Sequence, residues 1–440
     1  MHVGIIGGGI AGLVAAYELS QAGVKVTLFE REAKLGGLAS SFDIDDGHEI
    51  ERYYHFVCKP DRTYFEMMKE LGSYDRLRWV TTEMGCYYNK NLLTMSDPLS
   101  LFMFPHLPLA DKIRFAWAMF QCKIRNASSW QDLENVSARE WLISQYGQRA
   151  YDVFYKPLLD LKFRMYAPKI SAAWMWARFN RVGNSRTITQ RERLGYLEGG
   201  TQTYINALGS AVRQMGGEIC LKATVEEIIV EKGLAAGVCC NSKFYAFDHV
   251  LSTIPLPLFR TLIHHVNGSY FENLQSLEYI DVMVMVLRLS QRFSKYFWMN
   301  INDPQIDLAG IIEYTNLNPS PQLGGDAILY IPQYLPSDHP LYQMSQEQLF
   351  DLYCSYLSLI RSDFSKDWVK GYWVFRNRYA QPICETGFSK HIPDMQTQIP
   401  NLYLTDSYQV HPDDRSISNS SGLGQKAARL ILRSINNRKY

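Results

Sequence analysis

Residues 1–30 read MHVGIIGGGIAGLVAAYELSQAGVKVTLFE. A short, apolar, β-branched run from His2 to Ile6 leads into Gly7-Gly8-Gly9-Ile10-Ala11-Gly12, which fits G-x-G-x-x-G at Gly7, Gly9 and Gly12. The pattern predicts a strand entering a tight glycine turn, then a helix over residues 10–21 with Leu13, Ala16, Tyr17 and Leu19 apolar. Gly23 stops that helix before a second strand over residues 25–29, closed by Glu30. Gly7 permits the turn, Gly9 lets the backbone approach a pyrophosphate without a Cβ in the way, and Gly12 lets the helix sit close on the strand. The first turn of the helix, with Ile10 and Ala11, aims its free N–H groups at the phosphates. Glu30, 18 residues past Gly12, is placed to accept hydrogen bonds from both hydroxyls of an adenosine ribose and would repel a 2′-phosphate. FAD or NAD is therefore favoured over NADP.

Residues 32–41 read EAKLGGLASS. Gly36-Gly37, with Leu38 and Ala39 after them and Arg31 beside the ribose acid, resemble the second glycine signature of the FAD-dependent amine oxidase and protoporphyrinogen oxidase-like superfamily. Carotenoid desaturases and UDP-galactopyranose mutase are related to it. The C-terminus strengthens the resemblance, in PNLYLTD at 400–406 and DDRSISNSSGLGQKAA at 413–428. What the resemblance implies is FAD, held by a strand that delivers Asp406 to ribityl or phosphate-side hydroxyls. Ser418, Asn419, Ser420 and Ser421 would cap a helix running to Arg433 whose start faces the isoalloxazine. Many members write Gly-Asp at this acid, whereas here Thr405 precedes Asp406, a departure at the ribityl contact. A valine like Val225 meets the adenine through its backbone in such proteins. No Cys or His matches a covalent attachment site, so the flavin is expected to be non-covalent.

The fold class expected is α/β: a discontinuous Rossmann-like FAD-binding domain with an inserted α+β substrate domain rich in helices. Residues 1–75, 195–257 and 398–440 would build the first. Residues 76–194, dense in Trp, Tyr, Phe and Met, would form the helical part of the second, and residues 258–397 its sheet part. Within 76–194, helices are expected at 111–122, 137–146 and 171–179, the second opened by a Ser137–Glu140 capping box. Elsewhere the pattern predicts helices at 60–71, 203–215 and 347–360, and strands at 218–221, 224–230, 235–240, 282–289 and 327–332. Asp46-Gly47 reads as the turn of a short hairpin.

Composition bounds the function. The chain has 440 residues, 47% of them hydrophobic, enough for two or three domains. Lys+Arg 45 against Asp+Glu 44 leaves no global field to attract nucleic acid. Eight cysteines without a C-x-x-C pair read as reduced thiols in a cytoplasmic protein, with no zinc site. The apolar N-terminus lacks the basic stretch of a signal peptide. Residues 99–109 are apolar and proline-interrupted, followed by Lys112, Arg114, Lys123 and Arg125, so this segment could make peripheral membrane contact or line the mouth of a tunnel.

The activity that follows is FAD-dependent removal of a hydride from a C–H bond of an apolar or ring-bearing small molecule. Flavin chemistry needs few protein motifs, and no nucleophile elbow or metal-ligand cluster competes. Catalytic candidates, placed near the flavin by the resemblance, are His55, with Arg52, Tyr53 and Tyr54 beside it, and Arg376 and Tyr379 in a Y-A-x-P segment that also carries Arg378 and Gln381. Trp174, Trp176, Phe179, Tyr372 and Tyr379 are candidates for an aromatic pocket. The rival reading is a non-redox nucleotide-sugar mutase of the UDP-galactopyranose mutase kind, in which Arg178, Arg181, Arg186 and Arg376 would hold a diphosphate.

Overall fold

The computed structural model describes residues 1–437 apart from 45–46, 125–126, 187–190, 267, 275–276 and 320. Asp46 of the expected hairpin turn therefore lies outside the described residues, while the strands on either side, Ser41–Asp43 and Glu49–Glu51, do pair.

The apolar runs that flank the glycine turn have no polar face to leave in water, and they are buried at the centre of a parallel sheet. His2–Ile6 sits between His249–Ser252 and Lys25–Glu30, with Leu402–Leu404 and Glu218–Leu221 at the edges, and every pairing is parallel. Strands from three distant stretches of chain thus share one sheet. The helices Ile10–Gln21, Thr201–Gln214 and Ile417–Asn437 close over one face, burying Leu13, Val14, Leu208, Val212, Ala427 and Ile431 in a common cluster. A three-stranded antiparallel sheet, Val225–Glu231, Leu234–Cys240 and Lys243–Ala246, packs beside it.

The second body is a seven-stranded sheet ordered Val369–Pro382, Tyr279–Leu289, Ala327–Leu335, Gly310–Glu313, Trp298–Ile301, Met84–Tyr88, Asn91–Thr94. Alternation along Tyr279–Leu289 decides what each face does. Met283, Met285, Leu287 and Leu289 pack with the helix Gln346–Ile360, while Val282, Val284 and Val286 turn to the side that carries Ile44, Ile50 and Cys58. The stretch 76–194, expected to be helical, also supplies strands at Leu77–Thr81, Met84–Tyr88 and Asn91–Thr94. The last two form a hairpin across Asn89 and Lys90, both left-handed at φ 50 and 62. That two-residue turn is usually announced by Asn-Gly, and a lysine in its second position hides it. The expected helices are present as Leu109–Ile124, Ala138–Tyr146 and Ala172–Gly183, the last two capped by Ser137 and Ser171.

The C-terminal helix approaches the first helix through Gly424, where a Cβ would collide with the Ala11 carbonyl and crowd Val14. Two residues earlier, a Cβ on Gly422 would meet nothing. Gly424→Ala is accordingly expected to destabilise the protein by about 1–3 kcal/mol through overpacking. Gly422→Ala should be neutral or stabilising by up to about 1 kcal/mol, since alanine is the better helix former. Thermal melts of both variants check this, and equal melting temperatures would mean that the helices do not pack through Gly424.

Candidate functional site

A cavity of about 900 Å³ opens at the carboxyl ends of His2–Ile6 and Lys25–Glu30 and runs to the seven-stranded sheet. Strand order changes direction about His2–Ile6, which is where open α/β sheets place their ligands. At this end the wall is backbone. Gly7, Gly9, Ile10 and Ala11 line it, and the helix Ile10–Gln21 starts at Gly9 without a side-chain cap, leaving its first N–H groups free for an anion. A Cβ on Gly9 would meet nothing within 4 Å, so the space over that residue belongs to the cavity. Gly36 is left-handed at φ 118, and its N–H donates to the Gly8 carbonyl at 2.8 Å, locking the two glycine turns together.

Glu30 is buried at the same end. Its carboxylate accepts the N–H of Gly8 at 2.7 Å and that of Glu32 at 2.9 Å, which fixes its orientation and leaves lone pairs for ribose hydroxyls. Val225 borders the cavity next to Ala223, whose N–H donates to the Glu30 carbonyl. Asp406 also lines it. Burial pushes its carboxyl up to about 6, against hydrogen bonds from the Tyr408 N–H, the Tyr279 hydroxyl and the Leu256 N–H. Beside it the Thr405 hydroxyl is buried without a partner. A cradle open over Gly9, a free helix start, an oriented acid and an orphaned hydroxyl together fit the diphosphate and polyol of a dinucleotide cofactor.

At the far end the cavity is charged and aromatic. Burial alone would raise Asp414, but Lys162, Arg178, Arg415 and Arg181 outweigh it and hold the carboxyl well below the usual range. Arg178 pairs with Asp414 at 2.8 Å, and Arg181 is fixed on Asp61 through two hydrogen bonds of 2.9 and 3.1 Å. Arg415 donates to the Ala380 carbonyl, the Tyr334 hydroxyl and Gln381. The Lys162 ammonium has rings for neighbours, 4.7 Å from Trp174 and 5.0 Å from Tyr334. Burial brings its pKa down to about 7 despite the pull of Asp414. His55 is pushed to about 4 by burial, with Arg415 and Arg181 adding to the effect, and its Nδ1 has no partner. It is therefore a neutral imidazole at pH 7.

Tyr379 forms the lip. Opposite it Asp281 faces three residues, Arg378, Tyr379 and Ala380, between the pairs Ile280–Gln381 and Val282–Asn377. This bulge leaves Tyr379 left-handed at φ 57, held by its N–H donating to Asp281 at 2.7 Å.

Set against the sequence expectations, Gly7, Gly9, Ile10, Ala11, Glu30, Arg31, Gly36, Gly37, Leu38, Ala39, Val225, Asp406, Ser420, His55, Arg376 and Tyr379 all border this cavity. Gly12 does not; a Cβ there would strike the Gly7 carbonyl, so its place is in the packing of helix on turn. Ser418 turns away to accept the Tyr64 N–H, and the Asn419 amide is tied to the Asp414 carbonyl. The cap of the last helix is Ser416, whose hydroxyl accepts the Asn419 N–H at 3.0 Å, and not the run 418–421. Of the aromatic residues expected in the pocket, Tyr379 alone lines it. Trp174 and Trp176 are core, Phe179 packs on Trp141 and Tyr155, and Tyr372 stacks on Phe350. Tyr54, Trp298, Tyr334 and Tyr342 take those places. Arg186 stands outside it, while Arg178, Arg181 and Arg376 are inside. Sequence reasoning missed Lys162, which looks like a surface residue of an amphipathic helix, and Arg415, which follows two acids in a loop.

A model of the family described as flavin containing amine oxidoreductase matches residues 10–413. The 15-cis-phytoene desaturase of Synechococcus elongatus is 25% identical over 312 residues, covering 64% of this chain and 64% of that protein, which is under two thirds of its length. A putative protoporphyrinogen oxidase from Exiguobacterium superposes with a TM-score of 0.75 at 19% identity over 98% of both chains. Reduced UDP-galactopyranose mutase superposes with a TM-score of 0.74 at 16% identity over 98% of this chain and 95% of that one. At these identities the two structures speak for the fold.

Removing the Glu30 carboxylate takes away both the brace on Gly8 and the charged acceptor. Glu30→Ala should weaken FAD binding by about 2 kcal/mol, roughly 30-fold in Kd, read by titrating apoprotein with FAD; an unchanged Kd would show that the ribose lies elsewhere. A pH test addresses Lys162. A free lysine keeps its proton up to about 10.5, whereas buried Lys162 releases it near 7. The folded state thus holds fewer protons in that window, and the cost of burying the charge grows as pH falls from about 10.5 to 7, then levels off. Lys162→Met escapes this cost, so its melting temperature should gain on the wild type as pH is lowered across the window. A difference independent of pH would mean that the ammonium is solvated.

Proposed function

Since the chain belongs to the flavin containing amine oxidoreductase family and is an FAD-dependent oxidoreductase, we propose that its substrate is an apolar or ring-bearing small molecule oxidised at a C–H bond. The observation that carries this reading is the wall opposite the glycine turns. There Val282, Val284, Pro332, Trp298, Tyr334 and Tyr54 present hydrocarbon and ring surface to the cavity, the kind of lining that binds by burying apolar area. Phytoene, named for the desaturase relative, is one hydrocarbon of that class.

FAD, when bound, supplies the two-electron acceptor for the hydride. The chain's own residues do the rest. The aromatic wall orients the substrate and excludes water. Lys162, with its pKa near 7, and Asp406, raised to about 6, are groups in the cavity able to exchange a proton near neutrality, while His55, held near 4, stays a neutral imidazole. Arg376 lies at the rim, its guanidinium bound to the carbonyls of Tyr342 and Met344, which suits it to holding the rim's shape.

One observation favours the mutase-like rival. Arg52, Arg376 and Arg378 line the cavity without an ion pair to a carboxylate among the described residues, and such cations suit a diphosphate. The two readings differ in electron balance. Anaerobic mixing of the oxidised protein with its substrate should bleach the flavin absorbance stoichiometrically. If instead only chemically reduced protein turned over a nucleotide-sugar, with no net consumption of electrons, the mutase reading would replace this one.

A further inference from the structure

Two consecutive helices in the helical insert, Pro98–Phe102 and Leu109–Ile124, are apolar on the side that faces water. Leu99 and Met103 are each 69% exposed, Leu109, Ile113 and Trp117 each 60%, and Phe102 53%. These are six of the fourteen exposed large apolar side chains among the described residues, gathered within 99–117. Scattered exposed apolar residues need no explanation, but a concentration of this kind does.

Leu109, Ile113 and Trp117 recur every fourth residue and form one stripe, and Leu99, Phe102 and Met103 share a face of the shorter helix by the same geometry. The longer helix is already anchored on its other side, where Ala118 is 3% exposed and Phe115 packs into the core with Tyr146 and Phe154. Its outward stripe is therefore not a core face awaiting burial within the chain. Lys112 bridges the two helices, its ammonium 5.6 Å from the centre of the Phe102 ring.

Charge settles what the face suits. Arg114 is 63% exposed, while Asp111, 3.7 Å from it, is turned inward at 10%. Lys112 lies in the same turn, and exposed Arg149 reaches the His106 carbonyl in the loop between the helices. The cations thus stand at the edge of the apolar stripe, and the nearby acid is withdrawn. An apolar face with a basic fringe and an exposed tryptophan matches the boundary between acyl chains and anionic headgroups. No helix among the described residues is long and apolar enough to cross a membrane, so the contact would be one-sided. We propose that this face docks the protein on an anionic lipid bilayer, with Leu99, Phe102, Met103, Leu109, Ile113 and Trp117 entering the acyl boundary and Lys112, Arg114 and Arg149 against the headgroups.

The test is flotation of the flavin-loaded protein with vesicles of phosphatidylcholine alone and of phosphatidylcholine mixed with phosphatidylglycerol. The mixed vesicles should carry the protein, less so as salt is raised. Lys112→Gln and Arg114→Gln should each lower the partition coefficient roughly fivefold, and Phe102→Ser with Trp117→Ser should abolish flotation, flavin content and melting temperature being retained. Failure of the wild type to float with either vesicle would overturn the proposal. So would wild-type partitioning by the Phe102→Ser, Trp117→Ser variant, or sedimentation as a dimer that these substitutions disperse, which would make a second copy the occupant. None of these readouts depends on which substrate the cavity takes.

Discussion

The chain is held together at one point, the turn from Gly7 to Gly12. The Gly7 N–H donates to the Phe29 carbonyl, Glu30 and the Gly36 N–H take up the two polar groups of Gly8, and the Thr253 hydroxyl donates to the carbonyls of Ile6 and Gly7. Three separate pieces of sequence, around Phe29-Glu30, Gly36 and Thr253, converge on a loop that has almost no side chains to offer. Hydrogen bonds of this kind are directional and leave no slack, so the position of the free N–H groups at the helix start is set by segments that fold from far apart in the chain. The cradle is thereby tied to the sheet beneath it.

How much of this was legible follows from where the information lies. The opening strand, helix and acid announce themselves because glycine spacing, apolar periodicity and a terminal acid all constrain the same thirty residues. Tyr279–Leu289 announces a sheet through its run of valines and methionines, and its alternation fixes which side meets the cavity. The hairpin at Asn89-Lys90 stayed hidden because its turn conformation is imposed by strand pairing against a poor local preference. Trp174 and Trp176 are candidates for pocket and for core alike in the sequence, because aromatic residues suit both and only burial, here 1% and 3% exposed, distinguishes the two. Lys162 is the sharpest case. Nothing in its neighbours in sequence says that rings of Trp174 and Tyr334, distant in the chain, will close over its ammonium.

The cavity's two ends work on opposite principles. Near Gly9 the protein offers backbone dipoles, a surface that recognises a diphosphate by shape and N–H direction, with the Glu30 carboxylate held beside it for the ribose. Near Asp414 it offers formal charges in a poor solvent, where each ionisation state depends on its neighbours. Arg178 and Arg181 are each spent on a carboxylate, and Arg415 on the backbone and Gln381, so the charges that remain adjustable are few.

Asp281 and the three residues it faces across the sheet bear on how such a protein can change. Because the bulge absorbs the irregularity locally, the pairings on both sides of it, Ile280 with Gln381 and Val282 with Asn377, keep their register. Arg378, Tyr379 and Ala380 can therefore be exchanged, or the lip lengthened, without shifting the strand that carries Val282 and Val284. A lineage can retune what enters the cavity while inheriting its floor unaltered, so long as one buried carboxylate keeps its grip on one backbone N–H.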